Sequence, residues 1–308
     1  MNRVLVTPRS LTKNGHPALK RLEEAGYEVI FSNPGSQPSE EELLKLLPDC
    51  IGMLAGVEPV TSRILKLAKC LKVISRNGVG TNSIDKAAAK SLGIKILVTP
   101  GANARGVAEL AFGHILSAAR SIAFCDSSIK KENWQRREGI ELEGKTLGLV
   151  GCGNIGKYVA KFALGFDMKV LAYDPFKDES FKPSDDFKYC SFDELTEQSD
   201  IISLHCPPKD DGSALINEAV ISKMKKGVYI INTARAELLD DEAILKSLDS
   251  GKIAGLTLDV FSPEPPKDWR LAKHPNVVAT AHVGGFTKES IDRAVSMAVD
   301  NLINELEK

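Results

Sequence analysis

Short apolar runs alternate through the first hundred residues with segments whose apolar positions recur at helical spacing: RVLVT, ALKRLEEAG, YEVIF, SEEELLKLL, GMLAG, TSRILKLAK, KVIS, IDKAAAKSLG and IKILV. This is βαβ rhythm. Five strands with helices between them predict a parallel sheet covered on both faces. Pro100 and Gly101 interrupt the pattern. From Val107 to about Ile129, Ala108, Leu110, Ala111, Ile115, Leu116 and Ala119 lie at helical spacing and predict one long helix bridging two domains. A second series starts at TLGLV, runs through KVLAY, IISLH, YIIN and GLTLD, and ends at NVVAT. The closing TKESIDRAVSMAVDNLINELEK puts Ile291, Ala294, Val295, Ala298, Val299, Leu302 and Ile303 on one helical face. That helix is expected to return to the first domain. The expected domains are therefore 1–101 with 286–308, and 102–285.

Composition narrows the function classes. The 308 residues suffice for two domains, and 43% apolar with 26% charged residues is the balance of a soluble globular protein. A net charge of -1 without a basic block argues against nucleic acid or an anionic membrane as the main partner. No window approaches the roughly 18 apolar residues of a membrane span, and the apolar run in MNRVLVTPRS is too short for a signal-peptide core. Cys50, Cys70, Cys125, Cys152, Cys190 and Cys206 form no C-x-x-C pair, so neither a metal site nor a disulfide framework is expected, and a reducing cytoplasm is.

After TLGLV come Gly151, Cys152, Gly153, Asn154, Ile155 and Gly156, opening the helical KYVAKFALG. In a strand–turn–helix context the first glycine serves a tight turn, the second the approach of a pyrophosphate, and the third helix–strand packing. The helix N-terminus offers free N–H groups to the phosphates. Asp174 ends the next strand, 18 residues after Gly156, where a carboxylate accepts from a ribose 2′-hydroxyl and repels a 2′-phosphate. NAD is the expected cofactor, with Lys177 nearby.

Three ionisable residues follow strands of the second series: Arg235 after YIINTA, Glu264 after GLTLDVFSP, and His282 after NVVATA. Loops at carboxyl strand ends line the ligand crevice of such sheets. Oxidising an alcohol by hydride loss also removes a hydroxyl proton, and histidine titrates near neutrality. A carboxylate such as Glu264 favours the imidazolium and orients the ring. The planar fork of Arg235 suits a substrate carboxylate or developing alkoxide. Of the other histidines, His16 precedes a helix, His114 lies in the bridging helix, His274 sits in KHPN, and His205 ends a strand and is expected to flank the cofactor.

The segments SRNGVGTNSID, TPGANARGVAEL, LEGKTLGLVGCGNIG, SLHCPP, INTARAELLDDEAIL, GLTLDVFSPEPP and AHVGG, in this order, resemble the D-isomer-specific 2-hydroxyacid dehydrogenases from about Leu71 onward. The resemblance implies an α/β fold of two Rossmann-like doubly wound parallel-sheet domains around a cleft, a flavodoxin-like substrate domain and an NAD-binding domain. It implies Arg235 as the substrate-binding arginine, Glu264 as the partner of the histidine, and His282 as the acid/base. Asp259 is implied to hold the nicotinamide carboxamide, and Cys206, Pro207, Thr233, Ala234 and Gly284 to line the cofactor. The backbone around Asn77, Gly78 and Val79 is implied to meet the substrate carboxylate. A homodimer formed near the bridging helix is the usual family assembly, with Trp134 in that neighbourhood.

LKVISRNGVG and TPGANARGVAEL resemble the D-3-phosphoglycerate dehydrogenases most, which makes D-3-phosphoglycerate the leading substrate expectation, here without the regulatory domain of longer members. Ala236, Ala281 and TNSID depart from the family pattern where Gly, Pro and VDNID are usual. LAGVEPVT carries Glu58 where many phosphoglycerate enzymes place an arginine, leaving Arg76 as the candidate cation. The alternatives are a reductase for glyoxylate, hydroxypyruvate or another 2-keto acid, a phosphite-oxidising enzyme, and an NAD-sensing regulator without turnover.

Overall fold

The computed structural model describes residues 2–308. The chain divides into two compact units, 1–103 with 288–308, and 104–287. The first holds β1 (Arg3–Val6), β2 (Glu28–Phe31), β3 (Cys50–Ala55), β4 (Val73–Arg76) and β5 (Lys95–Leu97). All pair in parallel in the order β2-β1-β3-β4-β5, so the sheet reverses direction of growth between β1 and β3. Successive side chains of a strand face opposite ways. Leu5 accordingly packs with Leu43, Ile64 and Ile74 on one face, while Val4 and Val6 pack with Val295, Val299 and Leu302 of the closing helix Lys288–Leu306 on the other. Each such fully buried side chain contributes roughly 1.5–3 kcal/mol. Gly52 permits this approach: a Cβ there would lie 3.2 Å from Leu306 and 3.3 Å from Leu302.

The second unit holds β6 (Thr146–Val150), β7 (Lys169–Tyr173), β8 (Phe187–Tyr189), β9 (Ile201–Leu204), β10 (Val228–Asn232), β11 (Ile253–Leu258) and β12 (Val277–Ala279). Its order is β12-β11-β10-β9-β6-β7-β8, again all parallel, with the switch between β6 and β9. Two apolar clusters cover its faces. The three-residue β8 is one strand more than the sequence pattern predicts; its FKY is interrupted by Lys188 and flanked by polar residues, so no apolar run marks it.

The expected single helix over 107–129 is corrected. Two helices, Ala104–Ala119 and Ile122–Lys130, meet at 67°, and both lie within the second unit. Ser121 adopts a left-handed φ of 52°, and the Ala119 carbonyl accepts the Ile140 N–H at 2.9 Å. A crossing loop thus takes the acceptor that helical continuation needs. No single helix among the described residues is long and apolar enough to cross a membrane.

Candidate active site

The turn after β6 separates the tasks of its glycines. Gly151 has φ 96°, and a Cβ there would lie 2.5 Å from the His205 carbonyl oxygen. At Gly156 a Cβ would lie 2.3 Å from the Gly151 oxygen, so this glycine sets how closely the helix Asn154–Leu164 meets the strand. At Gly153 a Cβ meets nothing within 4 Å, leaving the backbone open to a ligand exactly where Asn154 and Ile155 begin the helix. Asp174, following β7, accepts the Cys152 N–H at 2.7 Å and the Phe176 N–H at 2.8 Å, which holds its carboxylate beside this turn.

His205, Cys206 and Pro207 follow β9, and Thr233 and Ala234 follow β10. His205 Nε2 pairs with Ser203 Oγ at 2.9 Å, and burial pushes the ring's pKa down to about 4. His205 Nδ1 and Thr233 Oγ1 are buried without a partner among the described residues. Unpaired buried polar atoms are costly, and these two, His205 beside the Gly151 turn and Thr233 after β10 at the same end of the sheet, fit a polar ligand such as a dinucleotide.

Arg235, Glu264 and His282 follow β10, β11 and β12, three adjacent parallel strands. Glu264 and His282 are brought together: Nδ1 lies 2.9 Å from Oε1 and 2.8 Å from Oε2. Glu264 Oε1 also accepts the Phe261 N–H at 3.1 Å, which orients the carboxylate. With Nδ1–H directed at Glu264, Nε2 is the nitrogen left to exchange a proton. Among the described residues Arg235 forms no hydrogen bond or ion pair with either Glu264 or His282. Its Nη1 donates to the Ala234 carbonyl at 2.6 Å, Asn232 Nδ2 donates to the Arg235 carbonyl at 2.8 Å, and it forms no ion pair among the described residues.

His282 has a left-handed φ of 51°, uncommon for a residue with a Cβ. Asp259, 1% exposed, holds the segment around it. Its Oδ1 accepts from Thr280 Oγ1 at 2.6 Å and Val283 N–H at 2.8 Å, and its Oδ2 from Gly284 N–H at 2.9 Å. Both oxygens of the residue expected to meet the nicotinamide carboxamide are therefore engaged by the His282 loop. The sequence reading missed Thr280, which looks there like an ordinary strand residue, and the contact of His114 Nε2 with Thr280 Oγ1 at 3.0 Å.

In the first unit, Arg76 ends β4 and is followed by Asn77, Gly78 and Val79. The Asn77 N–H donates to Ala55 and the Gly78 N–H to Arg76, so of these three backbone donors only that of Val79 is without a partner among the described residues. Gly78, at φ 144°, would place a Cβ 3.0 Å from Arg76 Nη1; its bareness lets the guanidinium lie over the turn and reach the Asn77 carbonyl. Glu58 turns inward, 2% exposed, accepting from Gly56 N–H at 2.9 Å and from the Thr7 hydroxyl. Burial pushes the Arg76 guanidinium down from its ordinary value, and the Glu58 charge opposes that.

Residues 112–284 match the family model of the D-isomer specific 2-hydroxyacid dehydrogenase, NAD binding domain. The chain belongs to this dehydrogenase family. It is 44% identical over 273 residues to the hydroxypyruvate reductase of Thermotoga maritima, covering 87% of this chain and 88% of that one. It is 36% identical over 277 residues to human D-3-phosphoglycerate dehydrogenase, covering 89% of this chain but only 51% of the human protein. Among solved structures it resembles the TT0316 protein of Thermus thermophilus (TM-score 0.88, 35% identity, 99% and 97% of the two chains). A glyoxylate reductase from Paecilomyes thermophila gives a TM-score of 0.86 at 30% identity, with 100% and 96% covered. The dehydrogenase is thus an NAD-dependent oxidoreductase of 2-hydroxy acids, and its fold is the pair of parallel α/β sheets described above.

Proposed function

We propose that this dehydrogenase interconverts a short 2-keto acid without a phosphate group, of the hydroxypyruvate or glyoxylate kind, and its 2-hydroxy acid. The supporting observation is Glu58: an inward carboxylate beside Arg76 offsets the one cation of that loop, leaving little net charge to attract a phosphate. Its 44% identity to a hydroxypyruvate reductase points the same way. NAD supplies the hydride acceptor, or as NADH the donor. Gly153, Asn154 and Ile155 would meet its pyrophosphate and Asp174 its ribose, with His205, Cys206, Pro207, Thr233, Ala234, Asp259 and Gly284 around it.

Arg235 binds the carboxylate and polarises the keto oxygen. His282 Nε2 delivers a proton to the oxygen as it becomes an alkoxide, or removes the hydroxyl proton in the reverse direction. Glu264 keeps Nδ1 protonated and stabilises the imidazolium. In the first unit, Val79 N–H and Arg76 are assigned to substrate recognition. D-3-phosphoglycerate is the second reading, favoured by Arg76 and by the human relative.

A panel of keto acids followed by NADH absorbance tests the proposal: hydroxypyruvate or glyoxylate is expected to exceed 3-phosphohydroxypyruvate in kcat/KM, and the reverse order establishes the second reading. His282→Ala is expected to lower kcat by about 10²–10⁴-fold while NAD still binds. Turnover at the wild-type rate refutes the role of His282; absence of turnover with every keto acid in the wild type favours the NAD-sensing regulator. We also assign a homodimer built on the face near Trp134, which is 81% exposed alongside exposed Ile122 and Ile129, and a reducing, cytoplasmic compartment consistent with six free cysteines.

A further inference from the structure

His114 is 3% exposed, in the middle of the helix Ala104–Ala119, too far along the chain from any catalytic residue to be read as part of the site. Its Nε2 lies 3.0 Å from Thr280 Oγ1. A threonine hydroxyl has one proton to give. Asp259 Oδ1 takes it at 2.6 Å, a short bond to a charged acceptor, while the Leu258 carbonyl at 3.5 Å competes poorly. Thr280 therefore faces His114 with a lone pair, and His114 must be the donor, carrying its proton on Nε2. Burial holds the ring's pKa below the usual histidine range, against the opposing charge of Asp259, so the donor is the neutral ring.

This chain of bonds ends at the proton carrier. Thr280 stands two residues before His282, and the other bonds of Asp259 go to the two N–H groups immediately after it. His282 is thus clamped on both sides in its left-handed conformation, with its ring on Glu264. Without the His114 N–H, the Thr280 hydroxyl keeps its bond to Asp259 but loses the second contact that fixes it, so the strand side of the turn is held less firmly than the side after His282.

We propose that His114 is a positioning residue for catalysis, holding His282 in register with Glu264 through Thr280 and Asp259. The inference rests on His282 being the proton carrier, so His282→Ala is measured in parallel. For His114→Leu, kcat is expected to fall about tenfold with the KM for keto acid and the Kd for NADH each changing less than about threefold, since a displacement of ~1 Å can cost up to ~100-fold in rate. His114→Gln, which keeps an N–H donor, is expected to recover most of the loss. Thr280→Val, which removes the contacts to both His114 and Asp259, is expected to lose at least as much as His114→Leu, and the double variant to be no slower than Thr280→Val alone, because both changes act on one path.

Unchanged kcat in a folded His114→Leu protein overturns the inference, as does a double variant whose losses multiply. If His114→Leu does not fold, Thr280→Val and the Gln variant decide: wild-type kcat in Thr280→Val, or a tenfold loss in a folded His114→Gln, overturns it. High turnover in His282→Ala overturns the proton-carrier reading itself, whereas a dead His282→Ala beside a fully active His114→Leu overturns only the inference about His114.

Discussion

Both units place a nearly fully buried carboxylate where the loops follow the carboxyl ends of their strands, and each uses it the same way: Glu58 accepts a backbone N–H and the Thr7 hydroxyl, Asp259 two backbone N–H groups and the Thr280 hydroxyl. What differs is the nearby cation. Glu58 acts electrostatically on Arg76, whereas Arg235 in the second unit has no ion-pair partner among the described residues. One motif therefore does two jobs. In the first unit it removes charge from a loop, and in the second it shapes the loop that carries His282 while leaving the arginine available to an anion. Buried carboxylates are tolerated only when hydrogen-bonded, so neither can be lost without consequence.

The sharpest way to break the comparison is Asp259→Ala. It leaves Thr280, Val283 and Gly284 without their acceptor and is expected to cost about 2–4 kcal/mol of stability in the second unit, with kcat reduced more than tenfold. Hydrogen exchange resolved by segment, with kinetics on the folded fraction, checks it. Loss confined to stability would make Asp259 structural only.

Acid should also separate the units. The folded-state pKa of His205, about 4, lies below the unfolded value near 6.5, so the unfolded chain binds a proton first as pH falls. Stability is fully present above about pH 6.5 and declines toward pH 4 by up to roughly 3 kcal/mol, with buried His114 adding in the same direction. Between pH 7 and pH 5, exchange protection, taken relative to the intrinsic rate at each pH, is expected to fall more in 104–287 than in the first unit. His205→Gln should flatten that dependence.

Glu58→Gln is expected to have the smallest effect and the most selective one. It keeps an acceptor for Gly56 while removing the charge that offsets Arg76. The kcat/KM ratio of 3-phosphohydroxypyruvate to hydroxypyruvate is expected to rise about tenfold, the equivalent of ~1.4 kcal/mol. An unchanged ratio would mean that Glu58 does not govern selectivity.

Short-range pattern was enough for much of this molecule. Short apolar runs expose eleven of the strands because each is bounded by helical segments or turn residues, and β8 escapes because its FKY, broken by Lys188 and set among polar residues, makes no apolar run. The glycine turn with Asp174, and the placing of Arg235, Glu264 and His282 after successive strands, are also visible, since parallel-sheet topology turns position along the chain into position at one sheet end. The break at Ser121 is not visible, because its cause is a hydrogen bond from Ile140 across the fold.

The amino-acid sequence by itself determined the two βαβ series, the glycine turn that opens the helix at Asn154, and the order of Arg235, Glu264 and His282 after successive strands. Only tertiary structure decided which way Glu58 faces, that Asp259 binds the loop of His282, and that His114 reaches Thr280 from a helix 166 residues away. The reason is physical: backbone periodicity and turn chemistry act between near neighbours, whereas the direction of a buried polar side chain is set by whichever donors packing brings within about 3 Å.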